Sequence, residues 1–315
     1  MTAQIFIDGD VGTTGLQIKS RLEGRNDIRL LTLDEAVRKD PVKRAECLNA
    51  ADVSILCLPD AAAIEAVSLV TNPDARLIDA STAHRIAKGW AYGFPEYDEH
   101  QAEKIASASR VANPGCYALT SVSIIHPLVS SGLIPADWPI TINAVSGYSG
   151  GGKGLIAEFE DTSNNTYTEA PFFAYGLSLE HKHLPEITHW GGLAHAPLFV
   201  PSVARYNQGM IVQVPLPLWS MPGNLSAGDI HQVLSDHYAG QRFVSVIPVQ
   251  DTQGLARLEP EILNNTNELH IYVFTDSGQK QVLVAGVLDN LGKGASGQAV
   301  QNLNLMLGMD PASGL

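Results

Sequence analysis

Cys116 follows the Asn113-Pro114-Gly115 break and opens the run Tyr117-Ala118-Leu119-Thr120-Ser121-Val122-Ser123-Ile124-Ile125. That run is small and apolar, and it predicts a buried helix closed near Ser131-Gly132. A cysteine in the first turn of a helix meets unpaired backbone N–H groups and the positive end of the dipole, which favour a thiolate. The thiolate is the nucleophile of covalent catalysis. Most free cysteines are instead small buried packing residues, and position alone leaves both uses open. Glu180-His181-Lys182-His183-Leu184-Pro185-Glu186 is the second chemically dense stretch. Two histidines at i and i+2 suit metal ligation from a strand, or one of them suits general acid–base work. There is no H-E-x-x-H and no third ligand at close spacing, so no metal is expected.

These side chains need elements to carry them. Ala3 to Asp8 reads as a short apolar strand running into Gly9-Asp10-Val11-Gly12-Thr13-Thr14-Gly15, followed by a helical pattern to Leu22. Strand, glycine turn and helix in that order form the context of a dinucleotide site, where backbone approaches a pyrophosphate at the helix start. The spacing is G-x-x-G-x-x-G, so a tight turn without a ligand stays open. A strand from Ile28 to Leu33, a helix from Pro41 to Ala50, a strand from Asp52 to Leu58, a helix from Ala61 to Val70 and a strand from Arg76 to Asp79 follow. This alternation predicts a parallel, doubly wound sheet with helices on both faces. Cys57 in the third strand and Cys47 in a helix are expected to pack. Asp79-Ala80-Ser81-Thr82-Ala83-His84-Arg85 leaves the carboxyl end of a strand, where such sheets place ligand groups, and Tyr92 to Glu96 continues it. Arg85 is the cation there whose planar fork suits a carboxylate or phosphate.

Beyond Cys116 the pattern changes. A strand over Thr141 to Ser146 leads into Gly147-Tyr148-Ser149-Gly150-Gly151-Gly152-Lys153-Gly154, which reads as an anion-wrapping loop or a flexible connector. Its order is not that of a P-loop. Segments 198–204, 209–216, 243–249, 268–274 and 281–287 read as strands of a mostly antiparallel sheet, giving this half an α+β character.

With 315 residues, the chain is long enough for two domains. Its 20 Lys+Arg against 33 Asp+Glu give a net charge of −13, which argues against nucleic-acid binding. The N-terminus lacks a basic n-region, and the apolar region from Ala50 to Val70 is broken by Asp52, Pro59, Asp60 and Glu65, so neither a signal peptide nor a membrane span is expected. Three widely spaced cysteines fit a reducing cytoplasm rather than a disulfide framework.

Taken together, the chain resembles the N-acetyl-γ-glutamyl-phosphate reductases in their shorter form, over nearly its whole length. Asn113-Pro114-Gly115-Cys116-Tyr117, Ser146-Gly147-Tyr148-Ser149-Gly150, His181-Lys182-His183-Leu184-Pro185-Glu186 and the run from Asp289 to Gln298 carry the resemblance most specifically. That family is grouped with the aspartate-semialdehyde and glyceraldehyde-phosphate dehydrogenases. The resemblance implies an NADP-binding Rossmann domain over 1–115 with a returning C-terminal helix at 293–315, and an α+β catalytic and dimerisation domain over 116–292. It implies Cys116 as nucleophile and His183 as acid–base, with Arg85, Glu96, Ser149, Gly150 and His181 toward the substrate. Gly9, Gly12, Thr13, Thr14, Gly15, Ser81, Asn290 and Gly294 would face the cofactor, the Asn290 amide holding the nicotinamide carboxamide. Asp34 stands where an acid usually selects NAD, while Arg38 or Lys39 would meet the 2′-phosphate of NADP. The implied reaction is attack of the thiolate on the acyl phosphate of N-acetylglutamyl 5-phosphate, loss of phosphate, and reduction of the thioester to the semialdehyde. A homo-oligomer, dimer or tetramer, is implied as well. The rival readings are a phosphorylating semialdehyde dehydrogenase for another acyl phosphate, a cysteine hydrolase using Cys116 and His183, and a nucleotide sensor without catalysis.

Overall fold

The computed structural model describes residues 2–315, and the chain divides into two units, 1–115 with 295–315 and 116–294. The first unit contains β1 (Ala3–Asp8), α1 (Thr13–Leu22), β2 (Ile28–Leu31), α2 (Pro41–Ala50), β3 (Val53–Leu56), α3 (Asp60–Ser68), β4 (Arg76–Asp79), β5 (Ala91–Tyr92), α4 (Gln101–Ser107) and β6 (Arg110–Ala112). Its six strands pair in parallel in the order β2-β1-β3-β4-β6-β5. Ile5 faces Leu30 on one side and Val53 on the other, so β1 lies inside the sheet with Ile5, Val53 and Ile55 fully buried. Buried on both faces, such strands need unbroken apolar runs, and this sequence supplies them. α2 starts where Asp40 accepts from the N–H groups of Val42 and Lys43 and Pro41 presets the first turn. Arg44, on its buried side, binds Asp8 at 3.0 Å and Glu65 at 2.9 Å, tying α2 and α3 to the end of β1.

The second unit contains α5 (Cys116–Ser130), β7 (Thr141–Gly147), α6 (Gly152–Glu160), β8 (Phe172–Ala174), α7 (Leu184–Trp190), β9 (Leu198–Ala204), β10 (Met210–Pro217), α8 (Ala227–His237), β11 (Val244–Val246), α9 (Val249–Thr252), β12 (Leu269–Thr275) and β13 (Gln281–Leu288). Its sheet runs β11-β12-β13-β10-β7-β9-β8, with β11 on β12 and β7 on β9 parallel and the other pairs antiparallel. α5 lies on this sheet because β13 offers Gly286, whose Cβ would overlap the Thr120 methyl. Pro127 inside α5 has no N–H for the Ser123 carbonyl, and Tyr238 at the end of α8 donates its O–H to that carbonyl at 2.8 Å. The orphaned acceptor thus anchors one helix to the next. The chain then returns to the first unit through α10 (Gly297–Met306), which packs on α4 and α1.

Two local expectations are corrected. The glycine-rich stretch from Gly147 to Gly154 is not an open loop: Tyr148–Gly151 forms a 3₁₀ turn, and Gly152 starts α6, whose Phe159 is buried. The histidine pair, whose local structure the spacing left open, lies in the turn entering α7, with His183 as its N-cap residue. β2 is also shorter than expected, and Cys57 lies just past β3.

Candidate active site

In the first unit, the turn after β1 is built for close approach. Gly9 takes φ of +92°, and a Cβ there would overlap the Cys57 carbonyl oxygen. A Cβ on Gly15 would overlap the Gly9 oxygen in turn. Backbone is therefore all that can occupy this corner, and the first-turn N–H groups of Thr13, Thr14 and Gly15 begin α1 with no side-chain cap on Gly12. A cavity of about 250 Å³ opens beside it, lined by Gly9, Gly12, Thr32, Arg38, Lys39 and Pro59 among others. Arg38 is steadied by Glu35 at 3.3 Å.

At the carboxyl end of β4, Asp79 is fully buried. It accepts from the Ser81 hydroxyl at 2.7 Å and the Ser81 N–H at 2.9 Å, and it pairs with His84 Nδ1 at 2.5 Å. The His84 ring stacks on Trp90, with centroids 4.2 Å apart. Sequence reasoning had not singled out His84, although Asp79, Ser81 and His84 stand within one short loop. Arg85 is buried and donates to the carbonyls of Asn113 and Ala80, both at 3.2 Å, so it braces the loops leaving β6 and β4. Glu96 is buried too and accepts from Gln301 at 2.8 Å.

In the second unit, Cys116 is the first residue of α5, as the sequence predicts. Gly294 backs it: a Cβ at 294 would stand 2.8 Å from the Cys116 Cβ. Gly294 lies in a π-helical turn over Gly292–Ser296, a geometry often found at functional sites. The Tyr117 ring meets both histidine rings in T-shaped contacts, with centroids 5.9 Å from His181 and 6.0 Å from His183, and its O–H donates to the Ser202 carbonyl at 3.0 Å. Burial, reinforced by Tyr175 and Cys116, holds the Tyr117 phenol well above its usual range, so it stays protonated. The two imidazoles meet edge to face, 4.8 Å apart. His181 Nδ1 accepts the His183 N–H at 3.1 Å, so that nitrogen carries no proton and His181 is held as the Nε2–H tautomer. His183 is 5% exposed.

Asn290 and Ser149 are both buried, and they join. The Asn290 amide donates to Ser149 Oγ at 3.1 Å and accepts the Gly209 N–H at 2.7 Å. A Cβ on Gly150 would press on that amide at 3.2 Å. The other two thiols differ from Cys116 in setting. Burial, with Asp79, Asp8 and Asp10 adding to it, pushes the Cys57 thiol up to about 12. Burial and Glu46 raise Cys47. Among the described residues there is no group of three or more His, Cys, Asp or Glu able to hold a metal, and no helix is long and apolar enough to cross a membrane.

A parallel nucleotide-type sheet followed by a mixed sheet led by a cysteine helix is the architecture of the semialdehyde dehydrogenases. The models of the semialdehyde dehydrogenase NAD binding domain and dimerisation domain match residues 14–105 and 116–290. Aspartate semialdehyde dehydrogenase II from Vibrio cholerae superposes with a TM-score of 0.69 at 14% identity, covering 98% of this chain and 99% of that one. The Candida albicans enzyme, solved with NADP, gives 0.66 at 12%, covering 98% and 99%. Much nearer in sequence are the N-acetyl-γ-glutamyl-phosphate reductase of Burkholderia ambifaria, 53% identical over 98% of this chain and 97% of its own, and N-acetyl-γ-glutamyl-phosphate reductase 2 of Pseudomonas putida, 52% identical over 99% of each. The chain belongs to the semialdehyde dehydrogenase family of oxidoreductases, and within it to the N-acetyl-γ-glutamyl-phosphate reductases.

Proposed function

We propose that this enzyme uses NADPH to convert N-acetyl-L-glutamyl 5-phosphate into N-acetyl-L-glutamate 5-semialdehyde and phosphate, a step of arginine biosynthesis. The observation that carries the reading is the placement of Cys116 at the start of α5, backed by Gly294 and followed by a tyrosine whose ring packs against both histidines. Cys116 Sγ attacks the acyl carbon, the bond to the phosphate oxygen breaks, and a thioester remains on the enzyme. The N–H groups of the first turn of α5 stabilise the oxyanion as it develops. When bound, NADPH supplies the hydride that reduces the thioester carbonyl. His183 holds the proton exchanged as the thiohemiacetal collapses and the Cys116 thiolate is restored. Ser149, Gly150 and His181 in the second unit contact the substrate. Arg85 and Glu96 are assigned to substrate recognition as well.

We assign NADP binding to the unit formed by 1–115 and 295–315, and catalysis and self-association to 116–294. The fit to a dinucleotide rests on the Gly9–Gly15 corner, where a side chain has no room, and on the adjoining cavity. Preference for NADP rests on Arg38 and Lys39, two cations on the lining of that cavity, to which Asp34 does not contribute among the described residues. Ser81 and Asn290 complete the cofactor contacts, and Gly294 leaves room at the nucleophile.

The reverse reaction tests this assignment. The protein is given N-acetylglutamate semialdehyde, phosphate and NADP⁺, with NAD⁺ and aspartate semialdehyde as parallel arms. Phosphate-dependent NADPH formation with the acetylated substrate alone is expected. Turnover with aspartate semialdehyde alone would overturn the substrate, and no reduced cofactor in any arm would overturn the reaction.

A further inference from the structure

The polar face of α10 is spent on the turn that presents the nucleophile. Asn302 is fully buried, and all its hydrogen-bonding capacity is directed inward. Its Nδ2 donates to the Gly93 carbonyl at 2.8 Å and to Asn113 Oδ1 at 3.0 Å, and its Oδ1 accepts from Gln298 at 3.3 Å. Asn113 is 1% exposed and is held on every polar group. Its N–H donates to Asp79 O at 2.7 Å, its Nδ2 to Ala295 O at 3.1 Å, and its carbonyl accepts from Arg85 at 3.2 Å. Only Pro114 and Gly115 separate this residue from Cys116. Pro114 fixes φ at one of the two intervening residues, which shortens the flexible path from Asn113 to the first turn of α5. Gly93 is required by the same contact, because a Cβ there would overlap the Asn302 amide.

We infer that Asn302 is a positioning residue for Cys116, acting through the Asn113 amide to set the turn from which the thiol projects. The inference rests on the nucleophile role given to Cys116 above. A buried network in which each amide has one geometry is suited to this task, since losing one member leaves the others unsatisfied rather than free to adapt. Asn304, on the same helix and equally buried, provides the contrast. Its amide is spent on Pro311 O, Ser313 O and Arg25, far along the chain from the Asn113 turn.

The test compares Asn302→Ala, Gly93→Ala and Asn304→Ala with the unaltered enzyme. It reads kcat, the NADPH dissociation constant, thermal stability, and the rate of Cys116 alkylation by iodoacetamide as a function of pH. Asn302→Ala and Gly93→Ala are expected to lower kcat at least about tenfold and to shift the alkylation profile, with nucleotide affinity within about twofold, as expected when a reacting atom is displaced by a fraction of an ångström. Asn304→Ala is expected to lower thermal stability and leave the alkylation profile in place. Gly93→Ala removes no polar group, so it carries the test alone if Asn302→Ala does not fold. An unchanged alkylation profile in both site variants, or the same shift in Asn304→Ala, would overturn the positioning role. If alkylated Cys116 proved fully active in the unaltered enzyme, the nucleophile reading itself would fail, an outcome separate from either.

Discussion

A side chain at position 294 would meet Cys116 directly: the Cβ of an alanine at Gly294 would lie 2.8 Å from the Cβ of Cys116. Neither residue sits at the free end of a flexible side chain, so relief requires a backbone shift of α5 or of the π-helical turn. Gly294→Ala is expected to reduce kcat by at least about tenfold, since misplacement near 1 Å can cost about a hundredfold, while secondary structure is retained. Steady-state kinetics with a circular dichroism control checks this. Activity close to the parent's would mean that the turn yields and Gly294 has no role in holding the thiol.

The three thiols are expected to separate by reactivity. Cys57 has its pKa pushed up to about 12, and Cys47 is raised by burial and Glu46, so near pH 8 both remain protonated and inert. Iodoacetamide at that pH should label one equivalent, at Cys116, with activity lost in proportion, and bound acyl substrate should protect. Peptide mapping by mass spectrometry reads the site. The sign of the Cys57 shift has a second consequence. The folded state holds its proton above the ordinary thiol range, so its contribution to stability is present below about pH 8.5 and is lost as pH rises toward 12.

Arg38 and Lys39 line the cavity beside the glycine corner. Replacing both with neutral residues should raise the KM for NADPH by about tenfold or more and leave the KM for NADH nearly unchanged, because only the 2′-phosphate distinguishes the two. Equal effects on both cofactors would remove these cations from phosphate recognition.

Arg44 joins a buried carboxylate and an exposed one, and the two arms should differ in worth. Asp8 is buried, and burial raises its pKa against the pull of Arg44, so Arg44→Ala strands a carboxyl at the end of β1. A loss of about 3–5 kcal/mol is expected from breaking such a pair. The side chain of Glu65 is 53% exposed, and Glu65→Gln should cost under about 1 kcal/mol. Urea unfolding of the two variants measures the difference. Similar losses would show that the exposed arm carries the cluster.

Much of the first unit was legible because its rules are local. The short apolar runs, the proline at the start of α2 and the glycines after β1 act within a few residues, and the helices and strands fall close to where those signals end. α6 and α7 were less legible. Glycine at five positions in 147–154 disfavours a helix, and tertiary packing of Phe159 overrides that preference. The i, i+2 spacing of His181 and His183 left their local structure open, and the hydrogen bond between them closes a turn.

The sequence by itself determined the family, the doubly wound unit and the helix that begins at Cys116, because motif spacing and periodicity are properties of neighbouring residues. Tertiary structure alone decided which distant groups support those motifs. Asn302 holds Asn113 across 189 positions, Asn290 joins Ser149 across 141, and Gly294 closes behind Cys116. Hydrogen bonds and close approaches of this kind depend on where the sheets bring the backbone. One sequence pattern is compatible with many such pairings until the fold selects one.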